Sequence, residues 1–398
     1  MQIREIQDLD VSGKVVFVRV DFNVPIEQGQ ITDDGRIRAS VPTIKNLSSR
    51  GARVVLLAHL GRPDGIPDAK FSLAPAAKRV SEIIGQQVPL ASDVCGASAK
   101  STIANLKDGE IAMLENVRFD SREVSKSKSE RTELAQIWAN LGDLFVSDGF
   151  GVVHREQASV TELAEALPNA AGLLVHAEVT VFNKVLTDPE RPYVVILGGS
   201  KVSDKLKVIE NLIHSVDRLI VGGGMCFTFL AAQGKSVGSS LLEIDQIPNV
   251  KAILETAVKR GVEIVLPVDV VIADKFAADA DTAVVSVDDI PDGWMGLDVG
   301  PLSIVNFESK ISDAKTIVWN GPMGVFEMPA FAAGTKALAI AITENSGMTV
   351  VGGGDSAAAI RLFGIPDSDF SYVSTGGGAS LEFLEGKKLP GITVLEDN

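Results

Sequence analysis

Nine short apolar runs organise the chain, and the residues that follow each run divide them into two sets. Four lie in the first half. Val15 to Val20 ends at Asp21-Phe22-Asn23 with Arg36 downstream, and Val54 to Ala58 runs into His59-Leu60-Gly61-Arg62. Ile111 to Leu114 leads to Glu115-Asn116-Val117-Arg118, and Leu144 to Val146 precedes His154-Arg155 by several residues. The other five each stop at a glycine-bearing turn. Val194 to Leu197 precedes Gly198-Gly199-Ser200-Lys201, Leu219 to Val221 precedes Gly222-Gly223-Gly224, and Thr316 to Trp319 precedes Asn320-Gly321-Pro322. Thr349 to Val351 precedes Gly352-Gly353-Gly354-Asp355-Ser356, and Tyr372 to Ser374 precedes Thr375-Gly376-Gly377-Gly378. Runs this short and without alternation suit strands buried on both faces, and glycine lets backbone amides approach a phosphate at the start of a following helix. The pattern predicts two facing sites, one cationic and one lined by glycine.

Helix-like segments lie between the runs at about the length a parallel crossover needs: Ser72 to Ile84, Ser129 to Leu141, Ser203 to Val216 and Asn249 to Arg260. In the third, Leu206, Ile209, Leu212 and Ile213 form a core-facing stripe. A further helix, Ala170 to Leu186, ends at Thr187-Asp188-Pro189, where proline opposes continuation. It stands between the cationic and glycine-rich halves and marks the domain boundary. Strand and helix alternation gives an α/β class, and 398 residues exceed what one core holds, so two domains are expected.

Hydrophobic residues at 45% and charged residues at 22% describe a folded chain without low-complexity tracts. A net charge of −15 opposes nonspecific nucleic-acid binding, so an anionic ligand needs a local basic pocket. Cys95 and Cys226 are too few for a disulfide framework and lack metal-site spacing. The charged start Ile3-Arg4-Glu5 does not suit a signal peptide, and no run reaches a membrane span, so a cytoplasmic location with no membrane partner is expected.

Several familiar motifs are excluded. Gly234-Lys235-Ser236 resembles the end of a P-loop, but Phe229 stands where its first glycine belongs. No Gly-x-Gly-x-x-Gly or His-Glu-x-x-His pattern occurs. Asp148-Gly149-Phe150 and His154-Arg155-Glu156 lack the order of protein-kinase loops. What remains is positional. In open α/β sheets, ligands bind beyond the carboxyl ends of strands, where Asp21, Asn23, His59, Arg62, Arg118 and Arg155 would form one anion site for a phosphate or carboxylate. Lys201 and Lys205, four apart, would share a helical face after the Gly198-Gly199 turn. Asp355 could hold magnesium while nearby amides hold nucleotide oxygens, and Glu327 could accept from ribose hydroxyls.

In order along the chain, Val18-Arg19-Val20-Asp21-Phe22-Asn23-Val24-Pro25, His59-Leu60-Gly61-Arg62-Pro63, Leu114-Glu115-Asn116-Val117-Arg118-Phe119 and Gly198-Gly199-Ser200-Lys201-Val202-Ser203-Asp204-Lys205 resemble the phosphoglycerate kinase family. So do Trp319-Asn320-Gly321-Pro322, Gly352-Gly353-Gly354-Asp355 and Ser374-Thr375-Gly376-Gly377-Gly378-Ala379-Ser380, and the resemblance covers essentially the full chain. It implies two Rossmann-like three-layer lobes with parallel sheets across a hinged cleft. Residues 1–170 would bind phosphoglycerate, 171–186 would connect, 187–380 would bind nucleotide and 381–398 would return to the first lobe. The implied reaction is reversible phosphoryl transfer between 1,3-bisphosphoglycerate and ADP, giving 3-phosphoglycerate and ATP with Mg2+, in a monomer.

By matched position, the resemblance assigns Asp21, Phe22, Asn23, Arg36, His59, Leu60, Gly61, Arg62, Arg118 and Arg155 to the phosphoglycerate. Lys201, Lys205, Asn320, Glu327, Gly353, Gly354, Asp355 and Ser356 go to the nucleotide, with Asp355 on the metal. Arg36 and Lys201 would serve the transferring phosphoryl, assisted by amides near Gly354 and Gly377. Two positions depart from the family: Gln157 replaces a frequent histidine after His154-Arg155, and Ser356 a frequent threonine. Two other readings stay open from the residues alone, a kinase for a different carboxylate and a nucleotide-binding protein without catalysis.

Overall fold

The computed structural model describes residues 3–396 and resolves into two compact units. The first runs to Thr180 and resumes at Lys388; the second is Val181–Lys387. The family resemblance places the end of the second domain at 380, whereas the helix Gly378–Leu384 lies within the second unit, which runs to Lys387.

In the first unit, β1 (Val15–Arg19) is followed by a two-residue hairpin pair, β2 (Ile26–Glu27) and β3 (Gln30–Ile31). Then come β4 (Arg53–Leu57), β5 (Ile111–Met113), β6 (Leu144–Ser147) and β7 (Asn169–Ala171). The main sheet has the order β5-β4-β1-β6-β7 and every pair in it is parallel. Alternation along β1 splits the core between two faces: Val16 and Val18 join one cluster, Val15 and Phe17 the other. Helices on both faces explain why the run carries no polar alternation.

The second unit contains β8 (Tyr193–Leu197), β9 (Arg218–Val221), β10 (Glu263–Val265), β11 (Asp269–Ala273), β12 (Thr282–Ser286), β13 (Met295–Val299), β14 (Thr316–Asn320), β15 (Met348–Gly352) and β16 (Tyr372–Val373). A six-stranded parallel sheet has the order β10-β9-β8-β14-β15-β16. Beside it, β12-β11-β13 make a small antiparallel sheet.

All nine apolar runs are strands in this structure. The hairpin and the edge strands β7 and β10 are too short to stand out as apolar runs, and the antiparallel sheet is not among the nine because β12 is exposed along nearly its whole length and the Val270 to Ala273 run of β11 has no glycine turn after it. Helix boundaries also move. The boundary helix is Leu173–Thr187, with residues 169–171 taken by β7. The helix expected from Ser129 starts at Lys128, and the one expected from Asn249 starts at Ile247 with proline in its first turn. The helix expected over Ser203 to Val216 spans only Leu206–Leu212, because the Ser203 amide and hydroxyl both bond to Glu243, at 3.0 and 2.6 Å.

Phe17 is fully buried within the first unit's sheet, so Phe17→Ala is expected to cost about 3–5 kcal/mol. The exposed Val284→Ala should stay within about 0.5 kcal/mol. Urea unfolding midpoints check both, and equal shifts would contradict the assignment of Phe17 to the core.

Candidate functional site

Register places the first group of side chains. Arg19 pairs with Leu57 on one side and Ser147 on the other, so β1, β4 and β6 end at the same level. Asp21 and His59 follow immediately, both buried. Arg36 Nη1 donates to Asp21 Oδ2 at 2.7 Å, and Asp21 Oδ1 accepts the Asn23 amide at 3.2 Å. Asn23 Oδ1 accepts the Gly61 amide at 2.9 Å, while Arg118 Nη1 donates to the Gly61 carbonyl at 2.8 Å. The loops after β1, β4 and β5 are thereby tied together, by the neutral Asn23 and the charged Arg118.

The electrostatics identify one cluster. Burial holds the His59 imidazolium well below the usual histidine range, and Arg19, Arg118, Arg155 and Arg36 push it further down. His59 is therefore an uncharged hydrogen-bonding ring among four guanidinium groups. Burial also lowers Arg118 to about 10, with Arg19, Arg155 and Arg62 acting in the same direction. Cations that destabilise one another at a partly dry strand edge make an anion site, since a bound anion relieves both the repulsion and the lost hydration.

In the second unit, Asn320 pairs with Leu197 and Gly352, so β8, β14 and β15 release their glycine turns together. A cavity of about 430 Å3 lies beyond them, lined by Lys201, Lys205, Asn320, Asp355 and the Gly353-Gly354 and Gly377-Gly378 turns among others. Gly198 has a packing reason to be glycine: a Cβ there would lie 2.1 Å from the Pro322 carbonyl oxygen. Lys205 Nζ donates to Asn320 Oδ1. A second cavity of about 500 Å3 adjoins, sharing Gly199, Ser200 and Asp355. Its walls are mostly apolar, with Phe227, Leu241, Phe276 and Met323 among them, and Glu327 stands on its lining.

A charged, glycine-lined chamber opening onto an apolar slot suits a ligand with a polyphosphate end and a flat apolar end. Comparisons with known proteins give the family. The family model described as phosphoglycerate kinase matches residues 6–387. Phosphoglycerate kinase of Leifsonia xyli is 57% identical over 401 residues, covering 99% of this chain and 100% of the relative. That of Mycolicibacterium gilvum is 58% identical over 404 residues, covering 99% and 100%. The solved structure of phosphoglycerate kinase from Coxiella burnetii matches with a TM-score of 0.89 at 41% identity, covering 99% of each chain. The one from Pyrococcus horikoshii matches at 0.87 and 31%, covering 99% of this chain and 98% of that one. This chain belongs to the phosphoglycerate kinase family. It is a kinase of glycolysis, a phosphotransferase with a carboxyl group as acceptor.

Against that background the predicted residues of the kinase sort by position. Asp21, Asn23, Arg36, Gly61 and Arg118 form the bonded group, His59 stands beside it against Arg19, and Arg155 and Arg62 act on the cluster through charge. Phe22 and Leu60 belong to the hydrophobic core, which leaves only their backbone for a ligand. Lys201 and Lys205 both line the lysine-bearing cavity, but not from one helical face: Lys201 precedes the helix and Lys205 is its N-cap. Ser356 is buried and its hydroxyl accepts the Gly321 amide at 2.7 Å. Gln157 is buried too.

Sequence reasoning assigned no role to Arg19, Glu123 or Ser159. Arg19 is wholly buried, with Nε donating to Ser159 Oγ at 2.7 Å and a guanidinium nitrogen to the Val20 carbonyl. A charge at the end of an otherwise apolar strand was the available signal, because such a residue must find partners inside. Glu123 and Ser159 offered none, lying on a 3-10 turn and a π-helical turn remote in sequence. The apolar slot was missed for the same reason as the antiparallel sheet that supplies Val270, Met295 and Leu297 to it.

Burial lowers the Lys205 ammonium to about 8, with Asp355 opposing the shift. The unfolded chain keeps an ordinary lysine near 10.4, so between these values the unfolded state binds more protons, and this group favours folding increasingly as pH rises through about 8. Affinity for a polyanion runs the opposite way. Binding of ADP should weaken as pH rises past about 8, and Lys205→Met should flatten that dependence. Calorimetric titrations across the pH range in matched buffers check it; an unchanged slope in the variant would remove Lys205 from the nucleotide contacts.

Proposed function

We propose that this chain catalyses reversible phosphoryl transfer between 1,3-bisphosphoglycerate and ADP, giving 3-phosphoglycerate and ATP. The observation that carries the reading is the presence of two different anion sites on one chain. One is built for a small acid, with arginines around an uncharged histidine; the other joins a lysine- and glycine-lined chamber to an apolar slot. Asp21, Asn23, Arg36, His59, Arg62, Arg118 and Arg155, with backbone from Phe22, Leu60 and Gly61, take the phosphoglycerate. Lys201, Lys205, Asn320 and the Gly353 to Ser356 turn take the phosphates, the apolar slot takes the base and Glu327 takes the ribose. Gly354 supports close approach by the ligand, since a Cβ there would meet no protein atom and its glycine is not required by packing.

The chemistry needs no nucleophilic side chain. The carboxylate of 3-phosphoglycerate is ionised at neutral pH and attacks the terminal phosphorus of ATP itself; the O–P bond to ADP breaks and ADP leaves with the electron pair. Negative charge spreads over the equatorial oxygens, where Arg36, Lys201 and the amides near Gly354 and Gly377 stabilise it. Asp21 holds Arg36 in place beforehand, so less side-chain freedom is lost on reaching the transition state.

Magnesium fits as a companion of the nucleotide. Among the described residues no group of three or more His, Cys, Asp or Glu could hold a metal, whereas Asp355 is an exposed carboxylate beside the glycine amides, and Mg2+ commonly takes one or two carboxylates with substrate phosphates. Bound there, it would neutralise phosphate charge. Because the acid and the nucleotide are assigned to different units, the reading includes hinge closure that excludes water from the acyl phosphate. It also includes a monomer in the cytoplasm without nucleic-acid partners. Among the described residues no helix is long and apolar enough to cross a membrane, and the net charge of −15 disfavours nucleic acid.

A coupled assay with 3-phosphoglycerate and ATP tests the reaction, with other small phosphorylated acids as controls. Arg36→Ala should lower kcat by about 10^2- to 10^3-fold in both directions while the protein stays folded. Turnover at the unaltered rate would take the transferring phosphoryl away from Arg36. Asp355→Asn should raise the Mg2+ concentration needed for half-maximal rate; an unmoved Mg2+ dependence would place the metal elsewhere.

A further inference from the structure

A one-way chain of hydrogen bonds runs behind the arginine cluster. Arginine has only donors, so Ser159 Oγ must accept from Arg19 Nε at 2.7 Å, and its single proton must then go to Glu123 Oε1 at 2.6 Å. The Ser159 amide fills the other carboxylate oxygen at 2.9 Å, which the π-helical turn Ala158–Glu162 makes possible by presenting amide and hydroxyl together. At the other end, Arg19 Nη2 lies 3.3 Å from His59 Nδ1. The alternative partner for that nitrogen, Asp21 Oδ1, is 4.0 Å away and already accepts the Asn23 amide. With a donor facing it, Nδ1 carries a lone pair, and the ring proton sits on Nε2, which makes no hydrogen bond among the described residues. Arg19, Glu123 and Ser159 have no exposed surface, so water cannot substitute for any link.

We propose that Glu123 and Ser159 are positioning residues whose function is to aim Arg19 at His59 Nδ1, fixing the tautomer that offers the acid site a neutral N–H donor. The proposal rests on the phosphoglycerate reading of that site. A histidine in the other tautomer would present a lone pair to an anion and repel it, so the relay converts an ambiguous ring into a donor without adding a charge to a cluster already crowded with arginines.

Long-range 1H–15N spectra of histidine-labelled protein without substrate read the tautomer directly. The four histidines give few signals, and the loss of one set in His59→Asn assigns the ring. In the wild type, Nε2 should be protonated and Nδ1 bare; a protonated Nδ1 overturns the proposal without any variant and leaves the acid site itself standing. Ser159→Ala and the isosteric Glu123→Gln should both introduce the Nδ1-protonated form. Ser159→Ala should raise the KM for 3-phosphoglycerate about tenfold, the scale of one hydrogen bond to a charged group, with the KM for ATP unchanged. If Ser159→Ala lowers stability while leaving the His59 spectrum as in the wild type, the relay is structural only and the proposal fails.

Discussion

The constraint on which the first unit depends is that a guanidinium ends its central strand with no access to water. Arg19 is fully buried, and burial lowers the basicity of even an arginine there. Such a charge is tolerated only if its donors are filled and a counter-charge lies nearby. Glu123 supplies the counter-charge through Ser159, although burial pushes its own carboxyl up against the pull of Arg19. Once that pair is set, the strand end has a surplus of positive potential directed at the neighbouring loops. Burial first, and then that surplus, keeps His59 neutral and makes Arg118 easier to deprotonate. The cluster proposed to hold the acid is thus locally positive inside a protein of net charge −15.

The second unit solves a similar problem with backbone rather than guanidinium. Its strand ends are level, its turns pack carbonyl against glycine, and Lys205 is held by Asn320. Amide dipoles carry no desolvation cost comparable to a buried ion, so this chamber needs no buried counter-charge of the kind Arg19 requires. The difference suits the ligands proposed for the two sites, a small acid that needs many contacts over little surface and a nucleotide that would bring its own large apolar face to the slot beside the chamber.

Legibility in the sequence followed burial. Strands closed on both faces were visible as apolar runs, and the residues just beyond them were correctly located at the strand ends, because a parallel sheet leaves few other places for them. The short antiparallel sheet was missed although β11 and β12 carry the apolar runs Val270 to Ala273 and Ala283 to Val285, because no glycine turn follows either of them. Helix starts shifted where side chains compete for the backbone, as Glu243 does at Ser203. The Arg19 relay was half legible, since a charged residue in an apolar strand demands a partner but does not say which one. Ser159 and Glu123 are brought together by tertiary structure alone, 36 residues apart.

The first unit is discontinuous along the chain. Its late segment contributes Leu389, Ile392 and Leu395, all buried, and ties back through the Gly391 amide to the Val153 carbonyl at 2.8 Å and the Arg4 amide to the Leu395 carbonyl at 3.2 Å. During translation the ribosome therefore releases every residue of the unit that comes second before it releases the closing piece of the unit that comes first. Nascent polypeptide holding residues up to 180 has an uncapped core waiting for material more than two hundred codons downstream.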